Sequence, residues 1–216
     1  MHRTIPIFDW RSEVNMENAD AIAEDLILLD NPVIHSSFNS PFKVDISAVI
    51  ICTKGSMEGS VNLKPFTMKA PALFVVLPHQ ILELYKMSSD FYGYYIIIPH
   101  KSVESLTAFY IKELHTLRDV LKNNSWVLLS RENMERMVLY FQAIQRMIRA
   151  EDNIHRIMIT ELLAQAMYLD IENVFLKSLK IEKKSKRTIF IEQFMDLVEH
   201  NYQTNRDVKF YADKLS

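Results

Sequence analysis

His79 and Glu83 are the closest histidine and carboxylate in the strand-rich half of the chain. Side chains four residues apart on one strand share a face, so this pair would supply two metal ligands at best. A catalytic metal usually takes three from the protein. His35 and His100 could join them only in space, and nothing in the spacing brings them there. The expectation is a satisfied structural histidine, with no metal and no cofactor. Gly-x-Ser-x-Gly, Cys-x-x-Cys and His-Glu-x-x-His are all missing from the sequence, which removes the common hydrolytic and redox motifs. Only Gly55, Gly59 and Gly93 occur, whereas phosphate-cradling loops need several glycines at fixed offsets. Cys52 lies in an apolar strand-like run and is expected as a small core residue. Together these residues predict a protein that is not an enzyme.

The chemistry must then lie in binding and assembly, and composition bounds what kind. A chain of 216 residues, 49% hydrophobic, can bury a full core. Its net charge of -2 gives no general pull toward nucleic acid or anionic membrane, so any DNA affinity has to be local. One cysteine forms no internal disulfide, and no apolar run reaches the roughly 20 residues that span a bilayer. A cytoplasmic protein is the expectation.

The hydrophobic pattern divides the chain into zones. Residues 18–29 place Ala19, Ile22, Ala23, Leu26, Ile27 and Leu29 at helical spacing before Asp30-Asn31-Pro32, predicting a short leading helix. From residue 33 to 99, short runs rich in Val, Ile, Phe and Tyr predict strands over 44–53, 59–63, 72–77, 81–85 and 92–98. Such spacing implies an antiparallel sandwich or small barrel, with 54–59 as a hairpin connection. Val103, Leu106, Tyr110, Leu114, Leu117 and Leu121 then follow a 3.6-residue repeat, stopped by Asn123-Asn124-Ser125. Ser130 is the expected N-cap of a second helix whose inner stripe is Met134, Met137, Val138, Phe141, Ile144 and Ile148.

A third helix, capped near Asp152-Asn153 and running to about residue 175, carries two apolar stripes. Ile154, Met158, Leu162 and Leu169 make one, while Leu163, Met167, Ile171 and Val174 make the other, on roughly the opposite side. One stripe can pack on the β domain, and a second copy of the helix is the economical partner for the other, giving a two-fold homodimer. The alternative is a helix buried wholly within the monomer. Lys177, Lys180, Lys183, Lys184, Lys186 and Arg187 follow, predicting a solvated basic linker. Beyond it, Thr188 is the expected cap of a helix with Phe190, Ile191, Phe194, Leu197 and Val198 inward, and Asp207 the cap of another over 208–215.

The stretch Phe194-Met195-Asp196-Leu197-Val198-Glu199-His200-Asn201-Tyr202, followed by residues 206–216 with Ala212 and Leu215, resembles the opening of the DNA-binding domain of AraC-type bacterial transcription regulators. Pro41-Phe42-Lys43-Val44-Asp45, Lys54-Gly55-Ser56 and Leu77-Pro78-His79-Gln80 resemble the β domain of the same family. The resemblance implies an α+β chain in three parts. Residues 1–178 would be a cupin-like antiparallel β-barrel or sandwich with a helical dimerisation segment, and 179–187 a basic linker. Residues 188–216 would be two helices of an incomplete helix-turn-helix domain, with Phe194, Leu197, Val198, Ala212 and Leu215 in its core. It also implies a regulator that senses a small effector and binds promoter DNA through parts beyond Ser216. Direct readout needs a helix or ribbon in a groove, so this stretch alone is expected to sense and dimerise without reading bases. If the barrel is hollow, as the resemblance implies, Phe38, Phe42, Cys52, Phe74, Tyr92 and Tyr94 are its candidate lining. Ile154, Met158, Leu162, Leu163, Met167 and Ile171 are the candidate dimer contacts. A cupin-fold enzyme and a ligand-free structural dimerisation module are the alternatives.

Overall fold

In a computed structural model, the described residues are 5–13, 19–22, 25–32, 40–99, 117, 120–180, 186–201 and 204–215. Among the described residues there are ten strands: β1 (Asp20–Ile22), β2 (Leu26–Asp30), β3 (Phe42–Lys43), β4 (Ile46–Lys54), β5 (Ser56–Val61), β6 (Lys64–Lys69), β7 (Ala72–Val76), β8 (Ile81–Met87), β9 (Tyr92–Pro99) and β10 (Trp126–Leu128). All pairings between them are antiparallel. They form one sheet in the order β1-β2-β9-β4-β7-β10 and a second in the order β3-β8-β5-β6. The helices are α1 (Trp10–Glu13), α2 (Arg131–Arg149), α3 (Arg156–Ser178), α4 (Lys186–Asn201) and α5 (Val208–Leu215). The chain is thus an antiparallel β sandwich followed by helices, an α+β fold as the sequence predicts.

Two apolar cores make the six-stranded sheet the middle layer. One lies between the sheets and includes Ile27, Leu29, Ile50, Phe74 and Tyr95. The other lies between the large sheet and the helices and joins Leu26, Leu28, Ile51 and Leu73 to Phe141, Ile144, Ile171 and Phe175. Strands β2 and β7 therefore bury both faces, which produces unbroken apolar runs.

That double burial corrects the expected helix over 18–29: its described residues form β1 and β2 instead. Leu26 and Leu28 face the helices while Ile27 and Leu29 face the small sheet, so a two-sided strand resembles a helical stripe. β6 also departs from the expectation. It alternates exposed Lys64, Thr67 and Lys69 with buried Phe66 and Met68, and it follows a two-residue turn in which Asn62 and Leu63 both take positive φ. The hairpin expected over 54–59 does not form: β4 and β5 lie in different sheets and do not pair, and the chain crosses between them at Gly55, whose φ of +77° a side chain would disfavour. Of the helix expected over 103–121, residues 103–116 lie outside the described residues, while 120–123 are helical and Leu117, Val120 and Leu121 are buried.

Ser130 caps α2 as expected, its hydroxyl accepting from the Asn133 amide at 3.1 Å. The predicted inner stripe is buried at Met137, Phe141, Ile144 and Ile148. Arg136 ties α2 to α3 through a two-pronged contact with Asp170. At the other end, Arg149 donates to both oxygens of Asp20, at 2.6 and 2.7 Å, and Gln145 adds a bond at 2.8 Å. The Arg149 contact holds the Asp20 carboxyl below its ordinary value, against the opposing effect of burial. Because the native carboxyl ionises at lower pH than the unfolded one, its contribution is complete above about pH 5 and disappears as pH falls through the depressed native value. Asp20→Asn should therefore cost about 1 kcal/mol at neutral pH, with the gap from the parent closing on acidification. Urea titrations at pH 7 and pH 3 measure this, and a gap that widens in acid would contradict it.

α4 begins at Lys186, so the start of the helix reaches into the expected basic linker and its cap is not Thr188. Lys183 and Lys184 lie outside the described residues. Asp207 caps α5 as expected, accepting from the Lys209 amide at 2.9 Å.

Candidate functional site

The space between the sheets is the first place a ligand could lie. β4, β7 and β9 supply Ile50, Phe74 and Tyr95 from one side, β5 and β8 supply Met57 and Leu84 from the other, and Phe8 and Phe42 stand at the margin with rings 4.9 Å apart. The enclosed volume is about 80 Å³, well below the ~300–1,000 Å³ of ordinary small-molecule pockets. Its wall offers almost no polar surface. Burial pushes the Tyr95 phenol pKa upward. The interior is therefore a packed core with a small apolar void.

The predicted lining residues fall in different places. Phe42 and Phe74 line the void. Cys52 belongs to the same core but stands off the void, fully buried, its thiol donating to the Lys54 carbonyl at 3.3 Å. Phe38 lies outside the described residues. Tyr94 belongs to the opposite face, where its ring meets Phe141 on α2 at 4.8 Å. Tyr92 is a partly exposed neighbour of Tyr94, and its hydroxyl donates to Asp30 at 2.5 Å. This corrects the expected lining: Tyr95, one position along β9, is the tyrosine that faces the void. An apolar strand buried on both sides carries no polar alternation from which that parity could have been read.

Burial pushes the Cys52 thiol up to about 11, and its surface is closed to solvent. Cys52 should thus resist Ellman's reagent at pH 8 in the native protein and react fully in guanidinium. Rapid native labelling would mean that the strand opens readily.

His79 and Glu83 do not share a strand. His79 sits in the turn before β8, exposed and with φ of +69°, while Glu83 accepts from Tyr85 at 3.3 Å. Among the described residues no group of three His, Cys, Asp or Glu side chains could hold a metal. His35 and His100 lie outside the described residues.

A second, larger hollow of about 710 Å³ opens where β6 and β10, the outer strands of the two sheets, approach each other. Its wall includes Lys64, Phe66, Lys122, Asn123, Trp126 and, from the end of α3, Leu179. No sequence expectation pointed there, because its parts come from three separate segments, 61–66, 122–128 and 178–179.

The third surface is α3 itself. Met167, Ile171, Val174 and Phe175 are buried in the core beneath it. Ile157, Met158 and Leu162 on α3 are exposed by 54, 60 and 56%, and Ile154 in the turn before it by 90%. The two expected stripes therefore separate: Met167 and Ile171 serve the fold, Leu163 packs half-buried at its border, and the 154–162 stripe faces outward. In the C-terminal pair, Phe194 meets Tyr211 with ring centroids 6.0 Å apart, and the Tyr211 hydroxyl donates to the Asn205 carbonyl at 2.7 Å. Leu197, Val198 and Leu215 are half-buried, whereas Ala212 is exposed. The expected core position of Ala212 is thus corrected: Tyr211 fills the contact with α4, and its neighbour Ala212 points away.

No protein-family model and no curated protein sequence matches this chain. Among solved structures, it overlaps the AraC-like transcriptional activator CuxR with a TM-score of 0.42 and 12% identity, over 89% of this chain and 66% of that one. ToxT from Vibrio cholerae overlaps with a TM-score of 0.42 and 10% identity, over 88% of this chain and 71% of that one. The Cnp3 cupin domain of Schizosaccharomyces pombe overlaps with a TM-score of 0.29 and 12% identity, over 41% of this chain and 66% of that one. The chain thus spans about two thirds of the length of the two AraC-like structures. Likenesses this distant leave function to be reasoned from the side chains. No helix among the described residues is long and apolar enough to cross a membrane.

Proposed function

We propose that this chain is the sensing and dimerising portion of a cytoplasmic transcription regulator of the AraC type, and that it has no enzymatic activity. The observation that carries the reading is the division of labour on α3. Its 167–175 face is consumed by the monomer's own core, while Ile157, Met158 and Leu162 on its outer face, with Ile154 in the turn before it, leave four large apolar side chains in water. An exposed patch of this kind marks an association site. A second copy of the same helix is the simplest partner, since a two-fold interface is self-complementary. In this reading α4 and α5 begin the helix-turn-helix domain, and the dimer would hold two such domains at the spacing of paired DNA half-sites.

Light scattering at micromolar concentration tests the assignment. The parent chain is expected to run as a dimer. Leu162→Glu should give a folded monomer, because the charge enters an interface but not the monomer core, and an unpaired charge in an apolar contact costs several kcal/mol, on the order of the interface itself. Leu163→Glu should instead lower the melting temperature, since Leu163 packs against the core. A monomeric parent, or a Leu162→Glu variant that remains dimeric, would sink the proposal.

A further inference from the structure

We infer that the hollow between β6 and β10 is a binding site for a small organic anion with a flat ring or similarly apolar body. Size favours it over the interior. Its 710 Å³ lies in the range of small-ligand pockets, while the void between the sheets holds about 80 Å³. Charge then selects the ligand. Lys64 lines the hollow, and no Asp or Glu stands among its described lining residues. Lys64 is held in place by the neutral side-chain oxygen of Asn123 at 2.7 Å, which orients the ammonium without cancelling its charge. Trp126 and Phe66 supply aromatic surface for the body of the molecule. An ammonium group beside an apolar wall favours a carboxylate or comparable anion, because a charge-assisted hydrogen bond fixes the head while the ring leaves water.

The position matters as much as the chemistry. β6 ends the small sheet, β10 ends the large sheet, and Ser178 and Leu179 close the hollow from the end of α3. An occupant would touch both sheets and the point from which the chain continues toward α4. The site deepens the sensing half of the proposed function and rests on it. Its failure is separable from that of the dimer, which light scattering reads independently.

The 216-residue chain carries two tryptophans, so Trp10→Phe leaves Trp126 as the sole emitter. The probe is 4-iodobenzoate, whose iodine quenches tryptophan at contact, with neutral 4-iodobenzamide as its isostere. Saturable quenching by the benzoate is expected, with the amide about tenfold weaker, as the loss of a hydrogen bond to a charged group implies. Lys64→Gln should weaken the benzoate by about the same factor, and Lys64→Arg should retain it. Lys64 is exposed, and unchanged circular dichroism would show the variants folded. Calorimetry with the same two probes repeats the comparison on the unsubstituted chain. Non-saturating quenching, equal binding of amide and acid, or an unaffected Lys64→Gln variant would overturn the site.

Discussion

Phe141→Ala is expected to cost roughly 3–5 kcal/mol of folding stability, the range for deleting a large aromatic side chain from a core that cannot collapse into the space. Phe141 is about 1% exposed and stands where α2 meets the large sheet, its ring against Tyr94. The core it occupies contains Ile51, Leu73 and Ile96 from the sheet and Ile171 and Phe175 from α3. A void there loosens three elements together. Leu139, on the same helix but 62% exposed, provides the contrast: Leu139→Ala should change stability by no more than about 0.5 kcal/mol. Urea unfolding followed by far-ultraviolet circular dichroism measures both. Equal small losses would mean that α2 is not docked on the sheet.

Gly59→Ala is the second large effect, expected at roughly 3 kcal/mol because the added methyl overfills a backbone contact. A β-carbon at Gly59 would lie 2.4 Å from the Glu83 carbonyl oxygen of the neighbouring strand and 3.0 Å from the Phe66 ring. The carbonyl is part of the β5–β8 ladder, whose register shifts between Glu58 and Gly59, so it can retreat only by parting the two strands. At Gly93 the nearest neighbours are side-chain atoms of Ile50, Phe91 and Tyr95 at 3.2–3.3 Å. These can turn aside, and Gly93→Ala should cost clearly less. Thermal melts of the two variants decide the order. A Gly59→Ala protein as stable as the parent would show that β5 and β8 are less closely apposed than described.

The α2 stripe, the Ser130 cap and the Asp207 cap were legible because each is a local pattern within a few residues. The two apolar sides of α3 were legible for the same reason. Which side meets the core was not, because periodicity records that a face is apolar and not what covers it. Ile154 and Ile171 look alike in sequence, yet one is 90% exposed and the other 3%.

By itself, the sequence determined the order of parts: a strand-rich domain without nucleotide loops or catalytic motifs, two amphipathic helices, a basic stretch and a helical pair. These follow from spacing and from residues whose backbone preferences act locally. Tertiary structure alone decided that residues 26–29 form a strand, that Tyr95 and not Tyr94 faces the interior, and that the larger hollow lies outside the sandwich. The common cause is the middle position of the six-stranded sheet. A strand covered on both faces loses the polar alternation that would mark its inner side, so only the packed layers on either side assign each side chain its direction.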